Sequence, residues 1–115
     1  MVFRAERTLS GHDALVHSCC FSPDGEKVLS ASSDRTLKTW RESDGALLHT
    51  LSGHDALVDS CCFSPDGEKV LSASGDRTLK IWRGSGGALL HTLSGHDTFV
   101  YICCFSPDGG SLCFK

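Results

Sequence analysis

The sequence predicts an all-β fold of four-stranded antiparallel sheets stacked face to face, and three observations predict it. Ser10–Leu51 returns as Ser52–Leu93, a 42-residue period. Turn-forming residues punctuate each copy at the same places: Ser22-Pro23-Asp24-Gly25, Asp34-Arg35 and Glu42-Ser43-Asp44-Gly45 in the first. Between these turns lie short apolar and β-branched runs, and no segment sustains the 3.6-residue apolar period of a helix.

Within one unit the elements follow in order. Leu15–Phe21 (LVHSCCF) is apolar on both faces, as a strand sandwiched between layers must be. Ser22–Gly25 then turns the chain, because Pro presets φ and Asp-Gly permits a positive φ. Lys27–Ser33 (KVLSASS) is a second strand of small and β-branched residues. Asp34-Arg35 makes the next turn, Thr36–Trp40 is the third strand, Glu42–Gly45 turns again, and Ala46–Leu51 is the fourth. The second copy differs at five positions: His17/Asp59, Ser33/Gly75, Thr39/Ile81, Glu42/Gly84 and Asp44/Gly86. A third copy starts at Ser94 and drifts after Gly109.

A sheet that is apolar on both faces cannot bury both by itself, so neighbouring copies must stack. Four strands per unit at this period point to propeller blades rather than a helical solenoid. Residues 1–115 read as an incomplete propeller: repeat 1 over about 10–51, repeat 2 over about 52–93, and a partial repeat 3 over about 94–115. A further strand is expected in Arg4–Leu9, before the first Gly-His.

The stretch GHDALVHSCCFSPDGEKVLSASSDRTLKTW resembles a WD40 repeat. It has the Gly-His pair, a Phe-Ser-Pro-Asp-Gly turn, a Ser-rich strand, and Asp and Trp six residues apart. The resemblance runs from about Thr8 to Gly109, with one departure: Arg41 and Arg83 follow the Trp where the family often has Asp. It implies a structural hydrogen-bond tetrad in each blade: His12, Ser30, Asp34 and Trp40 in the first, His54, Ser72, Asp76 and Trp82 in the second. Ser32 shares a strand face with Ser30, so either hydroxyl fits the first tetrad. A Ser-His-Asp triad is the competing reading, but catalysis needs an exposed nucleophile and an oxyanion hole. Two near-identical copies would also demand two active sites, whereas a buried bracing network recurs naturally in each blade.

The resemblance further implies a non-catalytic scaffold for proteins or peptides, with no cofactor. Contacts in the family concentrate on the rim formed by the loop entering the first strand and the turn between the second and third. Carried over, those positions are Leu15, His17 and Ser33, then Leu57, Asp59 and Gly75, then Phe99 and Tyr101. Two of the five differences between the full copies fall on this rim, and Phe99 and Tyr101 are aromatic anchor candidates.

The seven cysteines include adjacent pairs Cys19-Cys20, Cys61-Cys62 and Cys103-Cys104, each split between two faces of its strand. This is neither a CxxC metal knuckle nor a disulfide framework, and packing of reduced thiols is the expectation. A metal- or redox-responsive protein is the alternative function. The net charge of −3 with scattered Lys and Arg argues against nucleic acid. No apolar run suits a membrane span and no secretory signal opens the chain, so a cytoplasmic or nuclear protein is expected. Fewer than three blades do not close a propeller. The chain is then a piece of a longer propeller, a head-to-tail homo-oligomer, or an incomplete array.

Overall fold

In the computed structural model, residues 8–94 are described, together with the strands Cys103–Phe105 and Leu112–Phe114. These residues form ten strands and, among them, no helix. Blade 1 comprises β1 (Val16–Phe21), β2 (Lys27–Ser32), β3 (Thr36–Arg41) and β4 (Leu47–Ser52), paired in the order β1-β2-β3-β4. Blade 2 repeats this with β5 (Val58–Phe63), β6 (Lys69–Ser74), β7 (Leu79–Arg83) and β8 (Leu89–Leu93). β9 (Cys103–Phe105) and β10 (Leu112–Phe114) form an antiparallel pair, and β9 lies against β5 and β6. The strand expected in Arg4–Leu9 lies almost wholly outside the described residues.

The turns are built by the side chains that mark them. In the β1–β2 turn the Asp24 carboxylate accepts from Ser22 Oγ (2.6 Å) and from the Glu26 amide (2.9 Å), and Gly25 takes φ +75°. The β2–β3 turn has no glycine. Arg35 itself enters the left-handed region at φ +74°, and Arg77 does so at +70° in blade 2. Such a residue costs about 1–2 kcal/mol. The turn holds it through Asp34, whose Oδ1 accepts from the Thr36 amide (2.9 Å) and hydroxyl (2.6 Å).

The main core sits between the two blades. Leu29, Ala31, Leu37 and Leu51 of blade 1 interdigitate with Val58, Cys61, Val70 and Trp82 of blade 2, with Cys20 and Phe63 packed at its margin. A second cluster of Leu71, Ala73 and Leu79, with Cys62, Ile81 and Leu93, covers the far face of blade 2. Apart from Ile81, which stands where blade 1 has Thr39, its members are the first cluster's blade 1 residues moved by one repeat. Stacking therefore decides burial, since identical residues differ only in what covers them. Val58 is fully buried against blade 1, while its counterpart Val16 is 51 % exposed and Phe21 is 64 % exposed.

Candidate functional site

Each blade carries one hydrogen-bonded chain that ties its loops to its strands. His12 comes from the loop before β1, Ser30 from β2, Asp34 from the β2–β3 turn and Trp40 from β3. Trp40 Nε1 donates to Ser30 Oγ (3.0 Å), Ser30 Oγ lies 2.6 Å from His12 Nε2, and His12 Nδ1 lies 2.8 Å from Asp34 Oδ2. The indole can only donate and the carboxylate can only accept, so the protons run Trp to Ser to His to Asp, with His12 protonated on Nδ1. Blade 2 repeats the chain through Trp82, Ser72, His54 and Asp76 at 2.9, 2.7 and 2.8 Å. Ser32 is engaged elsewhere, donating to the Ala14 carbonyl (3.3 Å), and Ser74 donates to Leu57 O (2.8 Å). Glycine before each histidine lets the loop lie on the indole: a Cβ at Gly11 would sit 3.0 Å from Trp40 Cη2.

The electrostatics follow from these contacts. Burial works to raise the Asp76 carboxyl, but hydrogen bonds from Thr78, His54 and the Asp55 amide overcome it and bring the pKa down to about 2. Asp34 is likewise held well below the usual carboxylate range, with Thr36 and His12 outweighing burial. Burial lowers the His54 pKa against the pull of Asp76. This is the connectivity of a Ser-His-Asp relay, yet Ser72 is fully buried and Ser30 nearly so. A nucleophile there has no surface on which to meet a substrate.

The rim expected to contact partners lies at the end of the blades where these loops converge. Leu15 is 74 % exposed and Leu57 36 % exposed at equivalent positions. His17 Nε2 hydrogen-bonds Ser33 Oγ. Across the blade junction partial burial raises the Asp59 carboxyl, and the charge of His17 opposes that shift. In blade 2 the positions of His17 and Ser33 hold Asp59 and Gly75, so two edits between the copies replace one interacting pair. A Cβ at Gly75 would make ordinary contact with Ala56 and Leu57, 3.5 and 3.6 Å away. Phe99 and Tyr101 lie outside the described residues.

Sequence reasoning missed the opposite rim, where the β1–β2 and β3–β4 turns meet. A cleft of about 470 Å³ lies between Lys27 of blade 1 and the blade 2 residues Asp66, Glu68, Arg83 and Leu90. Blade 1 has its own counterpart, lined by Glu26, Arg41, Glu42 and Leu48. The signal available was that Glu26, Lys27, Arg41 and Leu48 recur as Glu68, Lys69, Arg83 and Leu90, while Glu42 gives way to Gly84. Among the described residues, no group of three or more His, Cys, Asp or Glu side chains is placed to hold a metal.

The profile of the WD domain, G-beta repeat, matches residues 3–41, 45–83 and 87–113. The chain belongs to the WD40-repeat family. WD repeat, SAM and U-box domain-containing protein 1 of Gallus gallus is 48 % identical over 40 residues, which is 35 % of this chain and 8 % of that protein. Small ribosomal subunit protein RACK1 of Neurospora crassa is 48 % identical over 40 residues, 35 % of this chain and 13 % of that protein. Vegetative incompatibility protein HET-E-1 of Podospora anserina is 48 % identical over 39 residues, 34 % of this chain and 3 % of that protein. The chain thus spans 8 % of the first of these relatives and less than a sixth of any of the three. Each alignment covers about one blade, so the likeness concerns the repeat rather than the whole relative. The WD40 blades of this chain are all-β, antiparallel and unclosed, and they make a protein-interaction type of domain.

Proposed function

We propose that this WD40 chain is a non-catalytic scaffold that presents the rim around Leu15, His17, Ser33, Leu57, Asp59 and Gly75 to a protein or peptide partner. The observation that carries the reading is the exposure of Leu15 and Leu57 at matched positions on adjacent blades, beside the residues that differ between the copies. Two apolar side chains held by rigid, tetrad-braced loops suit a partner's apolar anchor, and the flanking His17 and Asp59 supply polar discrimination. The reading carries Phe99 and Tyr101 as further anchors and places the protein in the cytoplasm or nucleus.

Proximity labelling of wild type against Leu15→Asp/Leu57→Asp tests it, with Arg41→Glu on the opposite rim as control. Partners lost with the leucine variant and kept with the control support the rim. An unchanged partner set in the leucine variant refutes it.

A second reading concerns association of copies. Val16 and Phe21 expose on blade 1 the surface that Val58 and Phe63 bury on blade 2, so the matching occupant is another WD40 blade. Light scattering decides whether a second copy supplies it: a clean monomer with full strand signal sinks self-association, and Phe21→Lys should abolish any oligomer seen.

A further inference from the structure

The adjacent cysteines of the two full repeats point to opposite faces, and stacking gives that alternation a consequence. Cys20 turns towards blade 2 and packs on the core cluster between the blades; Cys61, the first cysteine of the next pair, turns back towards blade 1 and belongs to that cluster. Cys20 and Cys61 thus meet in one cluster at the junction, their thiols near enough to influence each other, with the Phe63 backbone beside Cys20. Cys61 Sγ also lies 3.8 Å from Ser18 Oγ and 3.9 Å from the Ser18 carbonyl, so blade 1 surrounds it. Cys61 is 6 % exposed, Cys20 is half-buried, and both are reduced.

We propose that Cys20 and Cys61 are a peroxide-responsive thiol pair that closes to a disulfide across the blade junction. Cys20 is the attacking sulfur. Hydrogen bonds from Cys61 and from the Phe63 amide hold its thiol below the ordinary cysteine value, against the opposing effect of burial, which favours the nucleophilic thiolate. It is also the more accessible of the two.

The Cys20 thiolate attacks one oxygen of a peroxide. The O–O bond breaks, the departing hydroxide takes a proton to become water, and Cys20 becomes a sulfenic acid. Cys61 sulfur then attacks Cys20 sulfur; the S–O bond breaks, and the leaving hydroxide takes the Cys61 proton as a second water. Two thiols have lost two protons and two electrons to one hydrogen peroxide. The product needs the sulfurs at about 2.05 Å, a closure between two thiols that already share one packed cluster. A dithiol reductant reverses it by exchange. The bond would join β1 to β5 and fix the two blades together.

Peptide mapping tests the proposal on the full chain, reduced, desalted and exposed to hydrogen peroxide, then blocked with N-ethylmaleimide. Trypsin without reduction should release Thr8–Lys27 joined to Glu42–Lys69, two hydrogens lighter than their sum. Fragment ions should put the block on Cys19 and Cys62 and the bond on Cys20 and Cys61. Cys19→Ser should keep the linked species, while Cys20→Ser and Cys61→Ser should lose it; the wild-type fragment ions decide the matter even if a variant fails to fold. A bond to Cys19 or Cys62, a bridge only between chains, or two peptides that stay separate after peroxide would overturn the proposal.

Discussion

Thr39 offers the sharpest test of how the blades are held together. Among the described residues its hydroxyl is the one buried side-chain polar atom without a hydrogen-bond partner. The side chain is 2 % exposed, in register with Leu29 and His49 on the neighbouring strands. The same position in blade 2 is Ile81, packed against the cluster of Leu71, Ala73 and Leu79. Thr39→Val replaces the hydroxyl by a methyl of nearly the same volume. Burying a polar group unpaired costs about 1–3 kcal/mol, and a buried methyl contributes about 0.8 kcal/mol. The variant should therefore be more stable by about 1–3 kcal/mol, discounting part of the sum for imperfect repacking. With a urea m-value of about 2 kcal/mol per molar, the midpoint should rise by about 0.5–1.5 M. Fluorescence reports it directly, because Trp40 and Trp82 are the two tryptophans and mark one blade each. The reciprocal Ile81→Thr should lower the midpoint, though less, since Ile81 is only half-buried. A Thr39→Val protein that is unchanged or weaker would show that the hydroxyl is paired in solution, and the reasoning would fail.

Three further outcomes are expected. His54→Ala should cost about 2–4 kcal/mol in urea unfolding, because it leaves buried Ser72 and the Asp76 carboxylate without their shared partner; Trp82→Phe, which removes only the indole donor, should cost about 1 kcal/mol. Stability should fall on acidification in two stages. The unfolded chain takes up a proton at His54 first, near pH 6.5, because burial lowers the folded value. The contribution of Asp76, fully present above its ordinary value of 3.8, is then lost as the pH falls to about 2. A urea series from pH 8 to pH 2 on wild type and Asp76→Asn checks this, and the variant should show a shallower lower limb, with Asp34 supplying what remains. Gly84→Ala should destabilise, since a Cβ there would lie 2.4 Å from the Gly67 carbonyl oxygen, whereas Glu42→Gly at the matching site of blade 1 should cost less than about 1 kcal/mol.

The strands were legible to within about a residue because their limits are set by local chemistry. Asp24 and Gly25 make the β1–β2 turn whatever packs above it, and Asp34 clamps Thr36 through bonds two residues long. The loop before β1 was also readable, since glycine and histidine recur beside each tryptophan. What stayed hidden was set between blades or between distant strands. No local signal marks His17 and Ser33 as one pair, so their joint replacement by Asp59 and Gly75 looked like two separate changes. The adjacent cysteines disclosed that they face opposite ways but not that Cys20 meets Cys61. Thr39/Ile81 showed a difference between the copies without showing that the hydroxyl is orphaned there.

The contrast between Val16 and Val58 states the underlying physics. The two share their letter, their flanking sequence up to His17/Asp59, and their place in the sheet. One is 51 % exposed and the other fully buried. Inside the unit only the neighbouring His17/Asp59 change separates them, so the difference belongs chiefly to the stacking contact. Burying a valine fully contributes about 1.5–3 kcal/mol, and the junction gathers Val58, Val70, Trp82 and four blade 1 residues in one cluster. The cohesion of these blades therefore resides largely in the contact between copies, as expected for a quasi-one-dimensional array. A substitution is then judged by the junction it faces rather than by its repeat position. Valine to alanine at position 58 should cost several times what the same change costs at position 16. Equal losses would place the stability inside the blades instead.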